Sequence, residues 1–146
     1  MLKQLLIIPL LLASSPAAFS ADAAEQSQVM DKGCALSGTW KSNKEKTMPA
    51  LNKDLSIPVG VKARMADLFG KVTITYNEDC SEAVADVNGK QNTLAFKVIK
   101  STQESITIED SRSNSQYTMR FEDDCYLMEV TGIGVDEYYC RVAEKK

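Results

Sequence analysis

From residue 71 to residue 142 the chain alternates apolar and polar side chains in one short run after another, a pattern suited to an antiparallel β meander. Lys71–Asn77 sets Val72, Ile74 and Tyr76 against Thr73 and Thr75. Glu82–Val87 follows, and Asn88-Gly89 is a strong two-residue hairpin signal. Gln91–Ile99 puts Leu94, Phe96 and Val98 on one side, and Glu104–Asp110 sets Ile106 and Ile108 between polar residues. Gln116–Glu122 alternates Tyr117, Met119 and Phe121 with Thr118, Arg120 and Glu122. Cys125–Val130 and Asp136–Val142 close the series, and Ser37–Lys41 supplies one earlier strand. Short connections make successive strands antiparallel neighbours. Only the stretch between Lys41 and Lys71 changes period. There Val61, Met65, Leu68 and Phe69 fall at i, i+4, i+7 and i+8, which predicts an amphipathic helix with Pro58 in its first turn and Gly70 at its end. The expected fold is all-β: an eight-stranded antiparallel up-and-down barrel with one helix between strands 1 and 2. Closure removes both exposed edges. A two-sheet sandwich is the main competitor.

The N-terminus has the three parts of a secretory signal: Lys3, the apolar run Leu5–Leu12, and small residues around Ala18-Phe19-Ser20. Residues 1–20 are therefore read as a signal peptide, 21–33 as a flexible lead and 34–146 as the barrel domain. The apolar run is far short of the roughly 20 residues that span a bilayer, so no transmembrane anchor is expected after processing. Cleavage leaves 126 residues with 16 basic and 20 acidic side chains, a net charge of −4. That balance lacks the clustered basic face of a nucleic-acid binder, and no basic amphipathic segment for a membrane surface stands out. Cys34, Cys80, Cys125 and Cys140 all survive processing. Their even number in an exported chain reads as two disulfides. A metal site is disfavoured by the absence of C-x-x-C spacing and of any histidine.

Two short motifs carry a family resemblance. Leu36-Ser37-Gly38-Thr39-Trp40 resembles the G-x-W element that opens the lipocalin barrel, and Glu137-Tyr138-Tyr139-Cys140-Arg141-Val142 resembles its last strand. The resemblance implies that Arg141 packs over Trp40 and closes one end of the barrel. Such a contact also has its own physical reason, since a guanidinium on an indole face gains roughly 0.5–2 kcal/mol. The chain departs from typical lipocalins by its shortness and by a helix placed between the first two strands. It is more similar to small bacterial lipocalin-like domains.

In an up-and-down barrel whose first strand runs upward, all four cysteines fall at the bottom. Register favours Cys34–Cys80 and Cys125–Cys140. Cys34–Cys140 with Cys80–Cys125 is the alternative, because the first and last strands adjoin, although the second bridge would then span a longer distance.

The lack of histidine removes Ser-His-Asp, Cys-His and ordinary zinc chemistry, and no carboxylate stands out as catalytic, so no enzyme and no cofactor is expected. Glu78, Asp79, Glu82, Glu122, Asp123 and Asp124 gather in turns at the bottom, without the spacing of a calcium loop. Val72, Ile74, Tyr76, Leu94, Phe96, Val98, Ile106, Ile108, Tyr117, Met119, Phe121, Tyr126 and Met128 are expected to face the interior, which either fills itself or holds one ligand. A cavity would open at the top under a lid formed by Val61, Lys62, Arg64, Met65, Leu68 and Phe69, with Lys62 and Arg64 available to an anionic headgroup. The leading expectation is a periplasmic or secreted, non-enzymatic binder of a small apolar or amphipathic ligand such as a lipid. The rivals are a protein-binding module, such as an inhibitor of an envelope hydrolase, and a structural envelope protein with a filled barrel.

Overall fold

A computed structural model describes residues 33–130 and 132–143. The leader read over 1–20 and all but the last residue of the 21–33 lead lie outside the described residues. The elements run β1 (Gly38–Ser42), α1 (Lys44–Lys53), α2 (Val59–Leu68), β2 (Val72–Tyr76), β3 (Glu82–Val87), β4 (Lys90–Ser101), β5 (Ser105–Asp110), β6 (Gln116–Glu122), β7 (Cys125–Val130) and β8 (Val135–Arg141). Every strand pairs antiparallel with its neighbours in sequence, and β1 pairs with β8 to close an eight-stranded barrel. The period-two alternation places each strand to within two residues at either end. At the β3–β4 turn Asn88 and Gly89 both have positive φ, 55° and 82°, as a tight hairpin turn requires.

The connection between β1 and β2 holds two helices rather than one. The expected helix is α2. The additional α1 begins at Asn43, whose side chain accepts the Lys46 N–H at 3.0 Å. Its place follows from the shortness of β1, which ends at Ser42 and leaves the upper edge of β8 without a strand partner. α1 takes over that edge. Asn43 N–H donates to the Tyr138 carbonyl at 2.7 Å, and the Tyr138 N–H donates to Thr47 Oγ1 at 3.1 Å. Thr47 is fully buried there, because an unpaired strand edge inside the wall would be costly.

The apolar residues form two clusters. Leu36, Trp40, Ile74, Tyr76, Phe96, Ile106, Ile108, Met119, Tyr126 and Tyr139 are part of the cluster that fills the barrel. Leu51, Ile57, Met65 and Phe69 pack against Val135, joined by Val130 and Ile133 of the β7–β8 hairpin, and form a second cluster under the helices. One expected interior residue is not inside: Val98 is 42 % exposed. β3 pairs with β4 only as far as Ala95, and the β4–β5 register shifts between Val98 and Lys100, so this part of β4 lacks a β3 neighbour.

Candidate functional site

The lower end of the barrel is closed by the segment that precedes β1. Cys34 is bonded to Cys80 with a Cα separation of 5.8 Å, and its N–H donates to the Glu78 carbonyl at 2.8 Å. This holds Leu36 under the barrel, where it is fully buried. Trp40 Nε1 donates to the Leu36 carbonyl at 2.6 Å, and Arg141 donates to the carbonyls of Ser37 (2.9 Å) and Ala35 (3.0 Å). The Arg141 guanidinium also lies 4.3 Å from the Trp40 ring centroid, so the barrel-closing pair stacks and satisfies three floor carbonyls between its members. Gly38 explains its own place in the motif: its φ is +108°, and a Cβ there would stand 3.0 Å from Arg141 Nη1. Lysine at position 141 keeps the charge but loses the planar fork. Arg141→Lys is expected to cost about 1–2 kcal/mol and to shift the emission of Trp40, the single tryptophan. Unchanged fluorescence and an unchanged urea midpoint would show the floor to be independent of Arg141.

Above the floor the interior is packed with aromatic rings. Tyr126 is completely buried, with its ring stacked on Tyr139 at 5.1 Å and edge-on to Trp40 at 5.0 Å. Its hydroxyl lies 3.3 Å from that of Tyr76. Burial pushes the Tyr76 hydroxyl up to about 12 and holds those of Tyr126 and Tyr139 well above the usual range. Of the side chains expected to face the interior, Ile74, Tyr76, Phe96, Ile106, Ile108, Met119 and Tyr126 are buried in this packing, while Val72, Leu94, Tyr117, Phe121 and Met128 are half-buried against it.

A buried carboxylate lies between the two apolar clusters, and its role was not foreseen from the sequence. Glu137 is 8 % exposed. It accepts hydrogen bonds from the Ser42 and Tyr139 hydroxyls, and Ser42 Oγ in turn accepts the Gly70 N–H at 2.8 Å. The signal was present in the strand alternation, which puts Glu137 on the same face as Tyr139 and Arg141. Burial raises the Glu137 pKa, opposed by the hydrogen bonds from Ser42 and Tyr139. A carboxyl whose folded pKa is raised stabilises the fold most below its unfolded value, and the benefit is lost as pH rises through the folded value. Glu137→Gln retains the shape and carries no charge. Relative to wild type, its melting temperature is therefore expected to rise as pH goes from about 4 to about 7. Parallel pH profiles for the two proteins would refute this account of Glu137.

Cys125 and Cys140 face each other across the β7–β8 ladder and are bonded. This bridge lies on the outer face of the wall beside the start of α1, with Asn43 Nδ2 3.6 Å from Cys140 Sγ. Three of the six residues expected to form a lid pack into the second cluster. Met65 and Phe69 are buried in the second cluster and Val61 packs against it, whereas Leu68 and Arg64 are exposed. Lys62 Nζ donates to the Asn52 carbonyl at 3.2 Å and so ties α2 to the end of α1. Two open concavities lie along the β1–β8 seam. One, of ≈ 510 Å³, is bordered by Gly38, Thr39, Asp124, Arg141, Val142 and Ala143. The other, of ≈ 430 Å³, runs from Lys41 to Glu45 and past Gly70 and Cys140. Among the described residues no helix is long and apolar enough to cross a membrane, and no group of three acidic or cysteine side chains could hold a metal ion. No protein-family model matches the chain, and no curated protein matches it either.

Proposed function

We propose that this chain is a non-enzymatic, lipocalin-like exported protein, periplasmic or secreted, that acts through its outer surface and uses the barrel as a filled scaffold. The packing of Trp40, Tyr76, Phe96, Met119, Tyr126 and Tyr139, each less than 10 % exposed, carries this reading. A carrier needs an apolar pocket that encloses most of its ligand, and the two concavities of the β1–β8 seam are open grooves on the outside of the barrel. The two disulfides favour an oxidising compartment. One observation favours a second reading. Val72, Leu94, Tyr117 and Met128 are half-buried at the edge of the barrel core and would suit a small apolar or amphipathic ligand such as a lipid. Native mass spectrometry of the protein as purified separates the two readings. An empty protein that takes up no fluorescent lipid supports the scaffold, and a stoichiometric lipid released on denaturation would replace it with the carrier.

A further inference from the structure

Two apolar side chains stand almost bare at the tip of the α1–α2 hairpin. Leu55 is 94 % exposed and Val59 is 83 % exposed, while Ile57 between them is buried in the cluster below. A loose loop would tend to fold such side chains back, because removing apolar surface from water is favourable. This tip is tied down instead. Asp54 Oδ1 accepts from the Ser56 N–H at 2.9 Å and from the Ser56 hydroxyl at 2.6 Å, Lys62 bridges to the Asn52 carbonyl, and Ile57 anchors the centre. The outward direction of Leu55 and Val59 is therefore built into the hairpin.

Charge is segregated around the same hairpin. Residues 41–71 carry seven Lys or Arg and three Asp or Glu, a net of +4, whereas residues 72–146 carry eight and fourteen, a net of −6. Lys53 and Arg64, on the two helices beside the tip, are exposed, whereas Lys46 lies lower, with its Nζ 3.5 Å from Cys125 Sγ. The exposed acids Glu78, Asp79, Glu82, Glu122, Asp123 and Asp124 sit in the turns at the floor end. The cations beside the tip would draw it toward an anionic surface. A second copy docked tip to tip would bring like charges together, so the charge pattern favours a lipid surface over self-association. No single segment reads as a basic amphipathic helix, because Leu55 sits in the loop, Val59 opens α2 and the cations sit farther along the two helices. The fold brings them together.

We propose that the α1–α2 tip docks the protein onto an anionic lipid bilayer, with Leu55 and Val59 entering the headgroup region and the neighbouring cations lying against the phosphates. The proposal rests on the surface-acting reading and names its partner. A lipid found inside the barrel would refute that reading alone, whereas vesicle binding tests the tip. The experiment is co-sedimentation of the whole chain with phosphatidylcholine vesicles, with and without phosphatidylglycerol. Binding is expected only with phosphatidylglycerol, to weaken as salt is raised, and to fall at least about tenfold in the Leu55→Ser/Val59→Ser double variant. Both positions are exposed, so Trp40 fluorescence and the melting temperature should match wild type. Amide exchange on the vesicles should slow at residues 52–60. Failure to bind phosphatidylglycerol vesicles, binding indifferent to the double substitution, or protection confined to other segments would each overturn the proposal.

Discussion

Replacing Tyr126 with alanine is expected to cost about 3–5 kcal/mol of folding stability, as for other fully buried aromatics. The ring lies at the centre of the barrel between Trp40, Tyr76 and Tyr139 and is completely buried. Truncation would remove its contacts with all three rings and leave a hole that neither the closed wall nor the tied floor can readily collapse to fill. A domain of this size is stable by roughly 5–15 kcal/mol, so the loss is a large share of the total. Tyr126→Phe is the matched control. It removes only the hydroxyl contact with Tyr76 and should cost about 1 kcal/mol. Urea unfolding followed by Trp40 fluorescence measures both variants. A cost below about 1.5 kcal/mol for the alanine variant would mean that the ring is loosely held. That result would favour the carrier reading over the filled scaffold.

Removing the Cys34–Cys80 bridge should come close to this in size and should exceed the effect of removing Cys125–Cys140. The first bridge joins residues 46 apart in sequence and the second joins residues 15 apart. On the chain-entropy model these contribute about 4 and about 3 kcal/mol respectively. The local structure widens the gap. Cys125 and Cys140 are register partners in a hairpin whose ladder holds them together whether or not they are bonded. Cys34 lies outside any strand, and its bridge helps to keep Leu36 and the carbonyls that Arg141 and Trp40 use in place at the floor. Cys34→Ser/Cys80→Ser should therefore lower the melting temperature more than Cys125→Ser/Cys140→Ser and shift Trp40 emission toward the red. The reverse order in thermal melts would mean that the floor is held by packing alone.

The barrel was legible in the sequence because a half-buried strand must alternate, and seven successive strands joined by short turns leave little choice of pairing. The same register favoured the two disulfides that the structure shows over the alternative pairing. α1 was not legible. It carries three lysines and a proline at position 49, and its only buried residues are Thr47 and Leu51. It forms because β8 has an edge left to satisfy, and that demand is invisible in a local window of sequence. Glu137 was hidden differently. Its inward parity was readable, but a glutamate among charged neighbours reads as solvated until the helices are seen to cover it. Val98 shows the opposite limit: its parity pointed inward, and only the end of β3 pairing and the shift in β4 register expose it.

The bridges join each cysteine to the next one along the chain, first with second and third with fourth. Four cysteines allow three pairings, and this one can be set by order of arrival. When such a chain enters an oxidising compartment N-terminus first, Cys80 emerges with only Cys34 already outside. The next pair then arrives with no other thiol left to capture. On the proposed export, an oxidase could lay down both bonds as the chain emerges, with no wrong pair to reshuffle.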